Sequence, residues 1–524
     1  IKFSVDDSEK VGVIGRNGVG KSTLFGVLTG DDKDFTGDVI YKRGTVVVST
    51  AQEHHDLGDI TVLQYVLAGL PEYAELSTIM ETYPLTMGDD MAKIDIYTTA
   101  LQRFDDKGFY RIEEQIEREL DNFQLPDVAH RAFASLSGGQ KRMIEVVKIM
   151  HSNAHLALID EPTNHMDYVA KEQFVSWMRD AREAMLVITH DRDVLNEVDR
   201  IIELKDGTSV SYKGNYAAYL KQNAVSTGSQ MNDFEMIEKR ITNLKVKVID
   251  YQRLKEKSRN PGTIQKFKRL EENSRKELAE LQAKERPTFW IDKESASNLN
   301  YKVAAQYDKF KARNIRMNMS GDGSRSKHVL VNVKDLSLGY GQTPLFSGIN
   351  IDLREGEALE IRGRNGAGKT TLIKHLLGAD GIAKFSGEVI LDNHMRIGVY
   401  EQEVSSAYFE IPLAEAIEKM YLSRNLSISD TKIRALLSNY LFTEGDAKTP
   451  ISRLSGGQKA RFQLITMLAN EPQLLILDEP TNHLDLPSIE EIETALENYN
   501  GAVIYVSHDG YFREKIGGDV VTIG

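Results

Sequence analysis

Residues 11–23 read VGVIGRNGVGKST, and residues 359–371 read LEIRGRNGAGKTT. Each stretch contains G-x-x-x-x-G-K-[ST]. Each follows a short apolar run (VGVI, LEI) and precedes a helical apolar pattern (TLFGVL, TLIKHL). A strand, a glycine-rich turn and a helix in that order make backbone N–H groups converge into an anion nest at the helix N-terminus. An incidental glycine turn explains one such match, but not two in register with their flanks.

The repetition extends outward from these turns. SLSGGQKR (135–142) returns as RLSGGQKAR (453–461), LALIDEPTNHMD (156–167) as LLILDEPTNHLD (474–485), and VITHD (187–191) as YVSHD (505–509). Four motifs in one order mean a duplicated domain. With 524 residues, the chain has room for a third region between the copies, and domains of 1–220, 221–328 and 329–524 are expected. Ile1 aligns with Ile349, yet VLVNVKDLSLGYGQTPLFSG (329–348) precedes the second copy; the first copy continues through residues 201–220, whereas the second stops at VVTIG (520–524). The expectation is therefore a first domain lacking its opening segment and a second lacking its tail. The interval from the glutamine to the LSGGQ leucine is longer in copy one (Gln52 to Leu136) than in copy two (Gln402 to Leu454), so an insertion is expected at about 75–115.

Apolar content of 41% and charged content of 27% describe an ordinary globular protein, and no run approaches the roughly 18 uncharged apolar residues of a membrane span. A net charge of −13 argues against a surface coated in basic residues but allows a local basic patch. Zero cysteines exclude disulfides, cysteine-ligated zinc, iron–sulfur clusters and a cysteine nucleophile, and a cytoplasmic location fits.

The phosphate-binding candidates are Gly15, Arg16, Asn17, Gly18, Gly20, Lys21, Ser22 and Thr23 in one copy, and Gly363, Arg364, Asn365, Gly366, Gly368, Lys369, Thr370 and Thr371 in the other. Lys21 and Lys369 would reach the β- and γ-phosphates, and the hydroxyls of Ser22 and Thr370 would ligate Mg²⁺. LALID and LLILD are buried-strand runs ending in Asp, so Asp160 and Asp478 fit as Mg²⁺ partners. Glu161 and Glu479, next in the chain, fit as the groups that orient and polarise the attacking water. Acidic residues merely closing a strand do not explain why DEPTNH recurs intact.

Two P-loops, two LSGGQ sequences, two DEPTNH segments and two late histidines resemble the ATP-binding cassette superfamily over almost the whole chain. LSGGQ carries the specificity, since most P-loop proteins lack it. The resemblance implies an α/β fold: two P-loop ATP-binding cassette domains, each with a helical subdomain, joined by a long α-helical hairpin linker. It also implies head-to-tail cassettes sandwiching two ATP molecules, each contacted by the LSGGQ helix of the opposite cassette. Ser137 and Ser455 are good N-cap residues for such a helix. One site would then join Lys21, Asp160 and Glu161 to Ser455, Gly456, Gly457 and Gln458; the other would join Lys369, Asp478 and Glu479 to Ser137, Gly138, Gly139 and Gln140. By the same resemblance Gln52 and Gln402 sense Mg²⁺ and the attacking water, His190 and His508 are switch histidines, and Tyr340 stacks on adenine. Neither site has a degenerate motif, so both are expected to hydrolyse ATP.

The connector carries its own pattern. Phe234, Ile237, Ile241, Leu244, Val248 and Tyr251 follow the 3-4 spacing of a coiled-coil-like seam, SRNPG (258–262) is a turn signal, and Ile264, Phe267, Leu270, Leu278 and Leu281 suggest a returning helix. Two arms of about 25 residues would each be roughly 40 Å long. The distal end holds Arg253, Lys255, Lys257, Arg259, Lys266, Lys268 and Arg269 against Glu256 alone. A solvated hairpin with its lysines outward accounts for charge, but not for charge concentrated at the tip. A basic tip with few aromatics suits phosphate backbones of structured RNA.

Soluble tandem cassettes joined by a charged helical linker, with YKGNYAAY (212–219) just before it, resemble the F family of ATP-binding cassette proteins. That resemblance implies binding near the ribosomal E site, with the linker reaching toward the P-site tRNA, rRNA and the peptidyl-transferase centre. ATP closure would hold that state and hydrolysis would release it. The insertion, acidic around METYPLTMGDDMAKID (80–95), would suit a basic ribosomal protein or simply decorate the cassette. The competing reading, a tandem ATPase subunit of an importer, calls for a short linker and often one degenerate site. Repair clamps with zinc modules and the iron–sulfur recycling factor need cysteines. A nucleotide-gated binding factor, whose output is ribosome conformation, stays open beside the enzyme reading. So does the choice between a housekeeping translation factor and an antibiotic-resistance protein.

Overall fold

The computed structural model describes residues 1–50, 59–164, 166–205, 207–282, 315, 317, 328–379, 381–392, 395–401 and 404–524. It divides into two compact units, Ile1–Tyr216 with Asn314–Gly524, and Ala217–Arg313.

The first unit holds both copies of the repeat. In copy one, β1 (Lys10–Gly15), β2 (Val47–Ser49), β3 (Leu156–Asp160), β4 (Ala184–Ile188), β5 (Arg200–Lys205) and β6 (Thr208–Lys213) form one sheet in the order β2-β3-β4-β1-β5-β6. All pairs are parallel except the closing β5–β6 hairpin. Copy two contains β7 (Val329–Tyr340), β8 (Thr343–Arg354), β9 (Ala358–Gly363), β10 (Ala383–Leu391), β11 (Ile397–Tyr400), β12 (Leu474–Asp478), β13 (Ala502–Val506) and β14 (Asp519–Ile523). Its parallel sheet runs β11-β12-β13-β9-β14, the same order as β2-β3-β4-β1-β5, and β10-β7-β8 form a separate antiparallel sheet. Parallel sheets covered on both faces need continuous apolar strands, and AMLVI (β4), LLILD (β12) and AVIYV (β13) are buried at every position. The α/β tandem architecture is the one the repeated motifs imply.

Each sheet is accompanied by a helical group ending in the LSGGQ helix. In copy two, Leu413, Ile417, Met420, Ile433, Leu437 and Phe462 from three helices share one core. Copy one has the equivalent helices Val62–Ala68, Ile112–Asn122 and Gly138–His151, with two more, Tyr73–Thr86 and Met91–Asp106, inserted after the first of them. The inserted pair is closed at its base by an aromatic group, with Tyr73 and Phe104 rings 5.2 and 5.4 Å from that of Phe109. Leu85 and Met91 at its turn are exposed.

The second unit is built on two helices, Tyr216–Lys257 and Pro261–Gln282. The first spans 42 residues, about 60 Å at 1.5 Å per residue, and so exceeds the expected arm of about 25. Helix continues upstream of Phe234 and through Gly228, where no apolar period signals it. Leu244 and Val248 are buried, the Tyr251 ring stacks on Phe267 at 6.3 Å, and Arg240 makes a bidentate pair with Glu277, which fixes an antiparallel register. Pro261 starts the return helix at its first position, where a missing N–H costs nothing.

Candidate functional site

Both P-loops leave the carboxyl end of a central strand, β1 or β9, and enter a helix directly. Gly18, Gly20, Gly366 and Gly368 have φ of 82–104°, a left-handed conformation that turns their N–H groups into the nest and that a side chain would resist. Lys21 Nζ donates to the carbonyls of Gly15 (2.6 Å) and Arg16 (3.3 Å), and Lys369 Nζ to those of Gly363 (2.7 Å) and Arg364 (3.0 Å). The lysines are thereby curled over their own loops.

Ser22 Oγ donates to Asp160 Oδ2, and Thr370 Oγ1 to Asp478 Oδ2, both at 3.1 Å. A hydroxyl and a carboxylate held together beside a phosphate nest form the donor set that suits Mg²⁺, which takes few protein ligands and completes its shell with phosphates and water. The fit is to Mg²⁺ shared with a nucleotide, since the described residues contain no group of three or more His, Asp or Glu able to hold a metal alone.

Glu161 and Glu479 follow at the strand ends with φ of 45° and 50°. Backbone strain of this kind persists only when neighbours enforce it. Here each glutamate's N–H donates to the last residue of the adjacent strand, Ile188 (2.8 Å) or Val506 (3.0 Å). Desolvation pushes the Glu479 carboxyl up to about 7, opposed by the N–H of His508, and raises Glu161 as well. His508 is pushed down to about 3, first by burial and then by Lys369; His190 is lowered by burial and by Lys21. Both histidines are therefore neutral imidazoles. His190 Nε2 lies 3.1 Å from Lys21 Nζ and 3.6 Å from Glu161 Oε1, whereas His508 Nε2 lies 3.3 Å from Glu479 Oε1.

Ser137 and Ser455 each cap an LSGGQ helix through a full capping box with Gln140 or Gln458. Their oxygens accept the Gln N–H, which leaves each hydroxyl proton available to donate. The structure brings each helix to the opposite copy. A cavity of about 630 Å³ is lined by Asn17, Gly18, Lys21, Ser22, Thr23, Asp160, Glu161 and His190 together with Ser455, Gly456 and Gly457. A second of about 850 Å³ is lined by Asn365, Gly366, Lys369, Thr370, Thr371, Asp478, Glu479 and His508 together with Ser137, Gly138, Gly139 and Gln140. Tyr340 is half exposed on the rim of the second, with its hydroxyl 3.4 Å from Thr371 Oγ1. Arg364 also lines the second cavity and reaches Gln124 (2.9 Å), whereas Gly15, Arg16, Gly363 and Gln458 stand behind the walls, with Gln458 reaching Asp446 (2.8 Å). Gln52 and Gln402 lie outside the described residues.

Two aspartates that the motifs contain but that sequence reasoning left without a role join the copies. Asp167 Oδ1 caps its own helix at Ala170 while Oδ2 accepts the N–H of Asn365 in the other P-loop (3.1 Å); Asp485 does the same with Ser488 and with Asn17 (3.2 Å). Asn17 Nδ2 also donates to the His483 carbonyl (2.9 Å). The signal that could have found them was their position, an N-cap type two residues past the last His of each DEPTNH. Asp485→Ala should cost about 1 kcal/mol for the lost cap and also slow turnover at the first site, read from urea unfolding and ATPase assays on the same sample; Asp485→Asn keeps an acceptor and should recover the stability.

Of the tip residues, Arg253, Lys257, Arg259, Lys266, Lys268 and Arg269 are exposed. Lys255 departs from the expectation: its Nζ donates to Glu271 Oε2 (2.6 Å), and Arg275 shares the same carboxylate, so this charge is spent inside the hairpin.

The chain's matches among known proteins agree with this geometry. The ABC transporter family model matches residues 1–164 and 346–482. The chain is 29% identical to "ABC transporter F family member 5" of Arabidopsis thaliana over 100% of its length and 72% of the relative's. It is 27% identical to "Ribosome protection protein VmlR" of Bacillus subtilis over 98% of its length and 82% of that protein's. Among solved structures, that of the complex of archaeal ribosomal stalk protein aP1 with the recycling factor aABCE1 superposes with a TM-score of 0.57 at 18% identity, covering 99% of this chain and 84% of that one, a likeness of fold alone.

Proposed function

The chain belongs to the ABC transporter family as a tandem ATP hydrolase of the F type, and from that premise we propose that it is a ribosome-directed switch. In its ATP-closed state it binds near the ribosomal E site, with the linker tip directed at the P-site tRNA, rRNA and the peptidyl-transferase centre. Hydrolysis releases it, and the output is regulation of translation or displacement of an antibiotic. It works in the cytoplasm, where ribosomes are, and among the described residues no helix is long and apolar enough to cross a membrane. The inserted hairpin Tyr73–Thr86/Met91–Asp106 presents acidic residues to a basic ribosomal protein.

The observation that carries this reading is the exposed cluster Arg253, Lys257, Arg259, Lys266, Lys268 and Arg269 at the turn between two long helices, on a chain of net charge −13. Each phosphate contact by such a cluster releases condensed counterions, which makes association steeply salt-dependent. The name of one relative of the chain points the same way, being that of a ribosome protection protein.

At each composite site the P-loop N–H groups and Lys21 or Lys369 hold the β- and γ-phosphates. Ser22 with Asp160, and Thr370 with Asp478, would hold Mg²⁺, which supplies charge neutralisation for the leaving phosphate. Glu161 or Glu479 takes the proton of the attacking water, a task suited to a carboxyl held near neutrality. Neutral His190 or His508 orients that carboxyl, and Ser455 or Ser137 of the opposite copy donates to the γ-phosphate, so turnover requires closure.

Changing Lys257, Arg259, Lys266 and Lys268 to Glu should abolish most ribosome co-sedimentation at 0.15 M salt and leave ATP binding intact. Loss of ATP binding would instead make the hairpin a folding element. Lys255→Glu alone should destabilise the hairpin by placing a carboxylate against Glu271, and so it does not belong in that set.

A further inference from the structure

The two nucleotide sites share their motifs but not the residues beneath their histidines. Aligning Asp160 with Asp478 sets Lys171 opposite Ile489, and aligning His190 with His508 sets Asp193 opposite Tyr511. Lys171, one turn into the helix Tyr168–Asp180, is 7% exposed. Its Nζ lies 2.9 Å from Asp191 Oδ2 and 2.5 Å from Asp193 Oδ2, both in its own copy, and donates to the main-chain carbonyl of His508 in the other copy at 3.3 Å. Burial opposes the charge on Lys171, but the two aspartates outweigh it and hold the ammonium protonated. Ile489, buried in the core of the second copy, has no hydrogen-bond donor on its side chain to offer the equivalent carbonyl of His190.

This asymmetry bears on the reacting groups. The N–H of His508 donates to Glu479 Oε2 at 3.1 Å while its carbonyl accepts from Lys171, so the peptide units on both sides of His508 are tied. Among the described residues Glu479 Oε1 has no hydrogen-bond partner, and the carboxyl's direction is set by the His508 N–H and by the imidazole 3.3 Å away. In the first site His190 instead sits against its own P-loop Lys21. A second one-way tie lies alongside, because Arg192 of the first copy pairs with Glu493 of the second (2.9 Å), where the repeat has Gly510 opposite Arg192.

From this juxtaposition we propose that Lys171 is a positioning residue that sets His508 and Glu479 from the first cassette, so that the second composite site carries a tie from the other cassette to its reacting groups that the first lacks, and the two sites turn over unequally. The inference rests on both sites being hydrolytic. A displacement of the reacting carboxyl by a fraction of an ångström is enough to matter, since alignment errors of about 1 Å cost on the order of a hundredfold in rate.

The test measures ATP turnover in Glu161→Gln, which isolates the second site, and in Glu479→Gln, which isolates the first. Lys171→Met is added to each. In the Glu161→Gln background kcat should fall about tenfold with KM for ATP changed by less than about twofold, a loss at least about five times that seen in the Glu479→Gln background. Lys171→Arg, which keeps the charge and the donor, should restore most of it. The pair Lys171→Ile with Asp193→Tyr carries the second copy's own residues into the first and leaves no unpaired buried cation, so it guards against a folding failure and should reproduce the Met result. Equal losses in both backgrounds, a loss carried by KM alone, or no rescue by Arg would overturn the proposal. Silence of both single-glutamate variants would also overturn it, since unequal sites require one to act alone. Full wild-type rates in both would contradict the glutamate assignment itself, which is a separate failure.

Discussion

Replacing Glu161 and Glu479 together by Gln lowers ATP turnover by about 10²- to 10⁴-fold, the range over which a positioned general base contributes, and leaves ATP binding in place. Gln fills the same volume and keeps the same strained backbone position, φ of 45° or 50°, held by N–H groups that donate to Ile188 and Val506. What it loses is the ability to take a proton. The residues that hold phosphates and Mg²⁺, namely Lys21, Ser22 and Asp160 in one site and Lys369, Thr370 and Asp478 in the other, are untouched. Binding should persist by fluorescent-nucleotide titration while phosphate release stops, which leaves the protein locked in its closed form. Turnover at the wild-type rate would contradict the role given to the two glutamates.

The second large effect concerns stability. Arg192 and Glu493 form a buried ion pair between the copies at 2.9 Å, each side chain 7% exposed. Both groups are held above their ordinary values, which favours the neutral form of one and the charged form of the other. Burial holds the Glu493 carboxyl above its ordinary range despite the guanidinium, and although burial opposes the charge on Arg192, Tyr216, Glu493 and Asp509 together outweigh it and hold the guanidinium more firmly protonated. Glu493 is thus only partly compensated even with its partner present. Removing that partner by Arg192→Ala should cost about 3–5 kcal/mol, the penalty of an uncompensated buried charge, seen as a lower urea midpoint. A carboxyl raised above its unfolded value binds a proton more readily in the folded state. The deficit should therefore be largest at neutral pH and shrink as the pH falls through Glu493's raised value. Arg192→Met with Glu493→Leu removes both charges and should lie within about 1 kcal/mol of wild type. An Arg192→Ala midpoint equal to wild type would mean that the pair contributes nothing to joining the copies.

Phosphate chemistry is legible in sequence because it is local. The nest, the lysine that reaches back over it and the hydroxyl beside the acidic strand end must sit at set spacings, so VGVIGRNGVGKST and LALIDE carry their own geometry. The α/β tandem architecture follows from finding those stretches twice. The contacts between the copies are another matter. Asp167 and Asp485 lay inside quoted motifs, yet their second role exists only when the opposite P-loop is present to donate to them. Arg192–Glu493 and Lys171–His508 join residues more than 300 positions apart, where no periodicity links the partners. In the linker, the apolar seam from Phe234 marks the part of the helix that packs against Pro261–Gln282. The stretch Tyr216–Asp233 is helical without that pattern, which is why its length was not apparent. Lys255 looked like its neighbours because its partner Glu271 is set by the register of the hairpin, which Tyr251 on Phe267 and Arg240 with Glu277 establish.

The claim at the centre of this account is that closure of the two cassettes on ATP is read out on the ribosome. The Glu161→Gln/Glu479→Gln protein, sedimented with ribosomes through a sucrose gradient with ATP and without it, tests that claim directly. The account requires co-migration with ribosomes in the presence of ATP and its loss when ATP is omitted. Absence of association under both conditions would contradict it.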